Sequence, residues 1–204
     1  MKHGKQTWPG LVLALLALFL GTALTLAQTP SRPGEIKLTL DPGQSQVHWT
    51  LGSTLHTVHG TFNLKSGLLQ FDPAGGSASG EFVAYATSGE SGNDSRDKKM
   101  HKEILESARY PEVIFRPTRV EGTVAPQGTS NVQLHGIFVL HGAEHEITVP
   151  VQGELSGTAW KGTAKFSVPY VQWGLKSPNT FLLKADPEVE IELELKGTLQ
   201  RAAP

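Results

Sequence analysis

Along most of the chain, apolar and polar residues alternate with a period of two. Ile36, Leu38 and Leu40 alternate with Lys37 and Thr39, and Val47, Trp49 and Leu51 with His48 and Thr50; D-P-G-Q-S at 41–45 turns the chain between them. Val58, Gly60, Phe62 and Leu64 share a phase within a strand over Leu55–Leu64. Leu69 and Phe71 then read as part of the next strand, which ends at D-P-A-G-G. Glu81–Thr87 is ambiguous in phase, and Val113–Val120 resumes the extended pattern. Val132, Leu134, Gly136, Phe138 and Leu140 form one face of a long strand, His141-Gly142-Ala143-Glu144 a hairpin turn, and Ile147, Val149 and Val151 the return. Trp160, Gly162, Ala164, Phe166 and Val168 oppose Lys161, Thr163, Lys165 and Ser167. Val189, Ile191, Leu193 and Leu195 oppose Glu188, Glu190, Glu192, Glu194 and Lys196. Each strand thus has a dry face and a wet face. About eight to ten such strands at hairpin spacing predict an antiparallel barrel or a strongly curled sandwich. A barrel of about eight strands is just wide enough to fill with its own side chains or to enclose one small ligand.

One stretch breaks the alternation. Ser91–Phe115 contains a charged helix with a narrow apolar edge, because Met100 and Ile104 are four apart and Leu105 lies beside them. Asn93 or Asp94 caps its amino end, Asp97 suits the helix dipole, and Pro111, preceded by Tyr110, closes it. Arg96 is expected to anchor the helix to a carboxylate on a neighbouring strand, and Asp97 to accept backbone N–H bonds.

Residues 1–27 read as an export signal. Lys2 and Lys5 precede an apolar run from Leu11 to Leu20, followed by the small residues Gly21, Ala23 and Ala27. That run is too short to span a bilayer comfortably, so the mature chain is expected to be soluble and periplasmic or secreted. Residues 28–35 read as a linker and 36–200 as one barrel domain. Lys2 and Lys5 are the leader's only charged side chains, so of 18 Lys and Arg 16 remain against 19 Asp and Glu, a formal charge of −3. No basic surface remains to hold nucleic acid. The absence of cysteine removes disulfides, thiol catalysis and a lipid-modified amino-terminal cysteine.

Gly60, Gly136, Gly162 and Gly197 each stand in phase with an apolar face. They suit corners where a barrel strand bends, a reading compatible with an interior kept open by missing side chains and dry by their neighbours. The inward phase also holds Trp49, Phe62, Phe71, Phe138, Trp160 and Phe166, the aromatic candidates for lining such a space. Tyr170 and Trp173, in S-V-P-Y-V-Q-W-G-L, are placed near a mouth, where their polar tips can meet a quinone or phosphate head group.

The histidines offer a different chemistry. His56 and His59, three apart in a strand, point to opposite faces, whereas His141 and His145 flank a turn and can converge. A zinc or copper site needs more ligands in tight geometry, and His135 or His101 has to supply them. H-G-A-E-H lacks the helical context of a zinc-binding H-E-x-x-H, and no G-x-S-x-G nucleophile motif is present.

R-D-K-K-M at 96–100, Y-P-E-V-I-F at 110–115, L-D-P-G-Q-S-Q-V-H-W at 40–49, V-H-G-T-F at 58–62, G-L-L-Q-F-D-P at 67–73 and L-H-G-A-E-H-E-I-T-V-P-V at 140–151 together resemble the YceI-like lipid- and polyisoprenoid-binding family. The resemblance implies an exported, lipocalin-like antiparallel β-barrel with one short helix at a mouth. It further implies a long isoprenoid, quinone-like or other amphipathic lipid inside as cargo, and no cofactor. Met100, Ile104 and Leu105, with Phe115 behind them, are then expected to cover the opening. Two stretches depart from the family pattern: A-T-S-G-E-S-G-N-D-S before the Arg-Asp pair, and Ile104-Leu105 where many relatives carry paired phenylalanines. Three functions follow: a non-enzymatic lipid carrier or reservoir, a metal-binding protein or enzyme using His135, His141 and His145, and a packed barrel that acts through a protein partner.

Overall fold

A computed structural model describes Met1 and residues 34–202, with the exception of Gly75. The export signal and most of the linker read from the sequence lie outside the described residues.

Among the described residues nine strands make up the fold: β1 (Ile36–Leu40), β2 (Gln46–Leu51), β3 (Val58–Phe71), β4 (Ala78–Glu90), β5 (Glu112–Gly122), β6 (Gly128–Leu140), β7 (Ala143–Ser156), β8 (Ala159–Val168) and β9 (Val189–Arg201). All pairings are antiparallel, and the sheet closes on itself. β1 and β2 share one stave of the barrel. β1 pairs with the last residues of β3 and β9, as in Leu38 with Leu69 and Leu199, and β2 with their earlier parts, as in Val47 with Phe62 and Leu193. Between them Asp41 accepts from the Gly43 N–H, and Pro42–Gln44 make a short 3-10 turn that offsets the two halves. Nine strands therefore build an eight-stave barrel, which leaves no unpaired sheet edge.

The alternation predicts most of these strands, with one correction. Leu55–Leu64 and the segment of Leu69 and Phe71 are not two strands but the single strand β3. Its register against β4 shifts between Thr61 and Asn63 and again between Leu64 and Ser66. Lys65 and Ser66 are both exposed, so the inward set moves from even to odd positions without a break in the strand. The expected turn after Leu140 is narrower than four residues. His141 and Gly142 alone connect β6 to β7, both at positive φ (54° and 78°), the geometry a two-residue hairpin needs.

The interior divides along the barrel axis. A larger cluster around Ile36, Leu38, Phe71, Val120, Leu155 and Leu199 packs one end, which we term the far end. There the loops are tied across: Gln127 and the Gly157 backbone exchange two hydrogen bonds (2.8 and 3.2 Å), and Arg201 donates to the Ala125 carbonyl. A smaller cluster around Leu140, Val168, Tyr170 and Leu175 packs the other end, together with Ile104 and Leu105.

That second end carries the helical segment. α1 (Asp94–Lys99) begins at Asn93, whose side chain accepts from the Arg96 N–H at 3.0 Å, and runs on into one π-turn over Met100–Ile104. Glu106 at φ 44° stops the helix several residues before Pro111, which instead precedes β5.

Candidate functional site: an apolar cavity within the barrel

A cavity of about 480 Å³ lies inside the barrel, and its wall is almost wholly apolar. Strand residues from every stave face it, among them Leu40, Val47, Leu64, Leu134, Val151, Ala164 and Leu193. Its polar lining sits mainly where the helix and its neighbouring loops gather, at Ser53, His56, Arg96 and Lys99. We take this helix end as the mouth.

Of the twelve residues singled out from the sequence, eleven line this space: Trp49, Phe62, Phe71, Met100, Ile104, Leu105, Phe115, Phe138, Trp160, Phe166 and Tyr170. Trp173 does not. Its ring stacks flat on His145 (4.1 Å between centroids, 1° between planes) and packs against Phe138 from outside the cavity. Tyr170 presents only its ring, because its hydroxyl donates to the Asp186 carbonyl at 2.8 Å. Burial also pushes its phenol above the ordinary value. The expectation that these two polar tips meet a head group is therefore corrected.

The in-phase glycines do not open the interior, which is one of the two readings offered for them. None of Gly60, Gly136, Gly162 and Gly197 is on the cavity wall. A methyl group on Gly60 would press on the Trp49 indole and the Glu90 carbonyl. One on Gly136 would meet the Phe115 ring, one on Gly162 the Trp160 ring, and one on Gly197 the Thr39 carbonyl. The first three are seats on which aromatic rings lie, and Gly197 lets the broken β1–β2 stave approach closely. Glycine here shapes the wall by fixing where the rings sit. The open volume lies between those rings.

At the mouth, Met100, Ile104 and Leu105 contribute the apolar edge read from the sequence. The helix is held by short polar contacts. Asp97 accepts from the Ser91 N–H at 3.1 Å and from the Ser91 hydroxyl. Burial disfavours its charge, but the bonds from Ser91 and the neighbouring Arg96 guanidinium hold the carboxyl below the usual carboxylate range. Arg96 donates to Ser91 Oγ (2.7 Å) and to the Ser91 carbonyl (2.9 Å), not to a strand carboxylate as expected. His101 bridges Ser107 Oγ (2.9 Å) and the Gly89 carbonyl (2.8 Å), which ties the π-turn to the end of β4.

The other histidines do not assemble. His135 lies among Arg119, Glu121 and Thr148. His141 lies against Tyr110, with centroids 4.4 Å apart, and His145 lies under Trp173. Among the described residues no three His, Asp or Glu side chains converge as a donor set for a metal ion.

Sequence reasoning missed the second cover of the mouth. The connection from β8 to β9 folds over it, and Pro178, Leu183 and Ala185 line the cavity. It is stitched to the β2–β3 loop through Thr54 N–H to the Lys184 carbonyl (2.9 Å), Asp186 N–H to the Gly52 carbonyl (2.9 Å) and Lys184 N–H to Thr54 Oγ1 (3.2 Å). The signal was present in K-S-P-N-T-F-L-L-K at 176–184, an apolar triplet without strand period inside a polar loop.

The barrel resembles solved structures of low sequence identity. BcnA from Burkholderia cenocepacia superposes with a TM-score of 0.61 at 18% identity, over 77% of this chain and 98% of that one. A polyisoprenoid binding domain from Saccharophagus degradans gives 0.57 at 16%, over 85% and 100%. A YCEI protein from Campylobacter jejuni gives 0.55 at 14%, over 71% and 86%. No curated protein matches the chain's sequence significantly. The model of the YceI-like domain matches residues 38–197, from the middle of β1 to near the end of β9, so the chain belongs to the YceI-like family.

Proposed function

We propose that the barrel is a non-enzymatic carrier or reservoir that holds one isoprenoid-type or similar amphipathic lipid. The observation that carries this reading is the apolar cavity of about 480 Å³ reached beside a helix whose apolar edge forms part of its wall. The polyisoprenoid binding domain from Saccharophagus degradans, a barrel of the same fold, supports the class of cargo. The leader read from residues 1–27 supports action outside the cytoplasm.

The volume sets the scale of the cargo. An engineered apolar cavity of about 150 Å³ takes up one benzene, so about 480 Å³ suits roughly twenty heavy atoms, or three to four isoprene units. At about 0.8 kcal/mol per buried CH₂, such a chain gains roughly 16 kcal/mol gross. Association and ordering offset about 4–15 kcal/mol of that. Tight binding therefore needs the chain fully inside. Among the described residues that line the cavity, the Trp49 indole N–H is the one side-chain polar group buried without a partner, and it suits an acceptor oxygen on the cargo.

Displacement of a fluorescent fatty probe by isoprenoid alcohols and quinones of graded length tests this. Affinity should rise with length to about twenty carbons and then level. A protein that binds neither the probe nor any member of the series overturns the reading.

A further inference from the structure

Two charged side chains reach the cavity wall, Arg96 and Lys99, and both are cations; among the described residues no Asp or Glu lines it. Helical spacing explains their placement. Positions 96, 99 and 100 are three and four apart, so the helix turns Arg96, Lys99 and the apolar Met100 to one side. Lys99 is half-buried there, whereas Lys98 and Lys102 are exposed.

The two cations differ in how far they are already satisfied. Arg96 spends Nε and Nη2 on Ser91, beside Asp97, which leaves Nη1 without a hydrogen bond among the described residues. Lys99 forms no ion pair among the described residues. A lysine stem can cover an apolar edge while its ammonium stays wet, but here a further donor stands on the same side. The Trp49 indole, whose N–H is buried without a partner, packs beside Phe62 (6.4 Å between centroids), and Phe62 and the Met100 methyl group meet over Gly89. Acids outnumber cations at this end of the barrel, yet they face away from the cavity. Glu112, Glu144 and Glu190 pair with Lys65, Arg116 and Lys165, none of which lines it, and Glu106 turns to His141 at 3.7 Å. Glu90, Asp94, Glu103, Asp186 and Glu188 are exposed.

We infer that the mouth seats the anionic head of an acidic amphipath, a carboxylate or a phosphate, on Lys99 and Arg96 while its hydrocarbon tail fills the barrel. An acceptor-rich head matches an inner edge that offers N–H donors and no carboxylate. The outward acids repel the same head from the outer surface, which leaves the inner edge as its seat. This head-group site rests on the carrier reading, which it narrows from amphipathic lipids in general to acidic ones.

Geranylgeraniol, geranylgeranoic acid and geranylgeranyl phosphate share one tail and differ in the head. Probe displacement at about pH 8, where both acids are ionised and lysine is still charged, should show at least one of the acids bound about tenfold or more tighter than the alcohol. The tighter of the two acids tells carboxylate from phosphate. Lys99→Met keeps an apolar stem and removes the charge, so it should lower that acid-to-alcohol ratio about fivefold or more. Lys98→Met, at the exposed neighbour that does not line the cavity, should leave the ratio as it is. A wild-type ratio near one, a ratio that survives Lys99→Met, or one that falls equally in Lys98→Met overturns the head-group site. In each of those cases binding of the neutral alcohol keeps the carrier reading, whereas a protein that binds none of the three overturns both.

Discussion

Filling the cavity from one wall gives the sharpest consequence of the geometry. Ala164 is 5% exposed, stands in the middle of β8 between Val151 and Leu193, and all three line the cavity. Ala164→Trp adds nine heavy atoms. At the benzene scale of about 25 Å³ per heavy atom, these take about 225 Å³, close to half of the open volume. Room for a chain falls from roughly twenty heavy atoms to ten, and up to about 8 kcal/mol of hydrocarbon burial is lost. A long cargo recovers part of that by protruding at the mouth, so we expect about a hundredfold weaker binding of a C20 isoprenoid and little change for a C8 to C10 chain. The new ring enters empty space, so the midpoint of thermal unfolding should hold or rise; Ala164→Leu gives an intermediate case with less risk of overpacking. Probe displacement with the graded series reads the affinities. A folded Ala164→Trp protein that still binds the C20 chain like the wild type refutes the placement of the cargo.

Other expectations follow from single contacts. Gly60→Ala should cost about 1–3 kcal/mol in denaturant unfolding, because its methyl group has to displace the Trp49 ring or the Glu90 backbone. Ile104→Asp should speed release of a bound lipid about tenfold in stopped-flow while leaving the barrel folded, and unchanged release would remove Ile104 from any gating role. Asp97 is held below the usual carboxylate range, so its contribution is complete above that range and is lost as pH falls through its folded value. The protection of amides 94–104, measured as exchange relative to the intrinsic rate at each pH, should therefore hold at neutral and mildly acidic pH and fall only at lower pH, and Asp97→Asn should flatten that step.

Much of the barrel was legible because half-buried antiparallel strands impose a period of two, and residues such as Val189, Ile191, Leu193 and Leu195 keep it strictly. What escaped were places where the backbone departs from that period. The bulge at Lys65–Ser66 shifts the inward set within one strand and so imitates a strand boundary. The Pro42–Gln44 turn joins two short strands that occupy one stave, a fact that only their shared partners β3 and β9 reveal. Inward phase also located six of the wall residues, Trp49, Phe62, Phe71, Phe138, Trp160 and Phe166, since phase decides which face a strand residue joins, and helical spacing located Met100 and Ile104. Trp173 lies in an aperiodic connection, where nothing in the local pattern fixes the direction of a ring, and it stacks on His145 instead. The glycines in phase with the apolar faces were visible, but their consequence depends on which ring folds over them. That is a tertiary matter, and it made them seats rather than empty volume.

The central claim is that the barrel encloses one lipid chain of limited length. Denaturing extraction and mass spectrometry of whatever copurifies with the untagged protein from its own host test it most directly. One isoprenoid or other amphipathic species of roughly twenty heavy atoms, in near-equal amount with the protein, is the predicted result. A protein recovered empty that also refuses every added chain would contradict it.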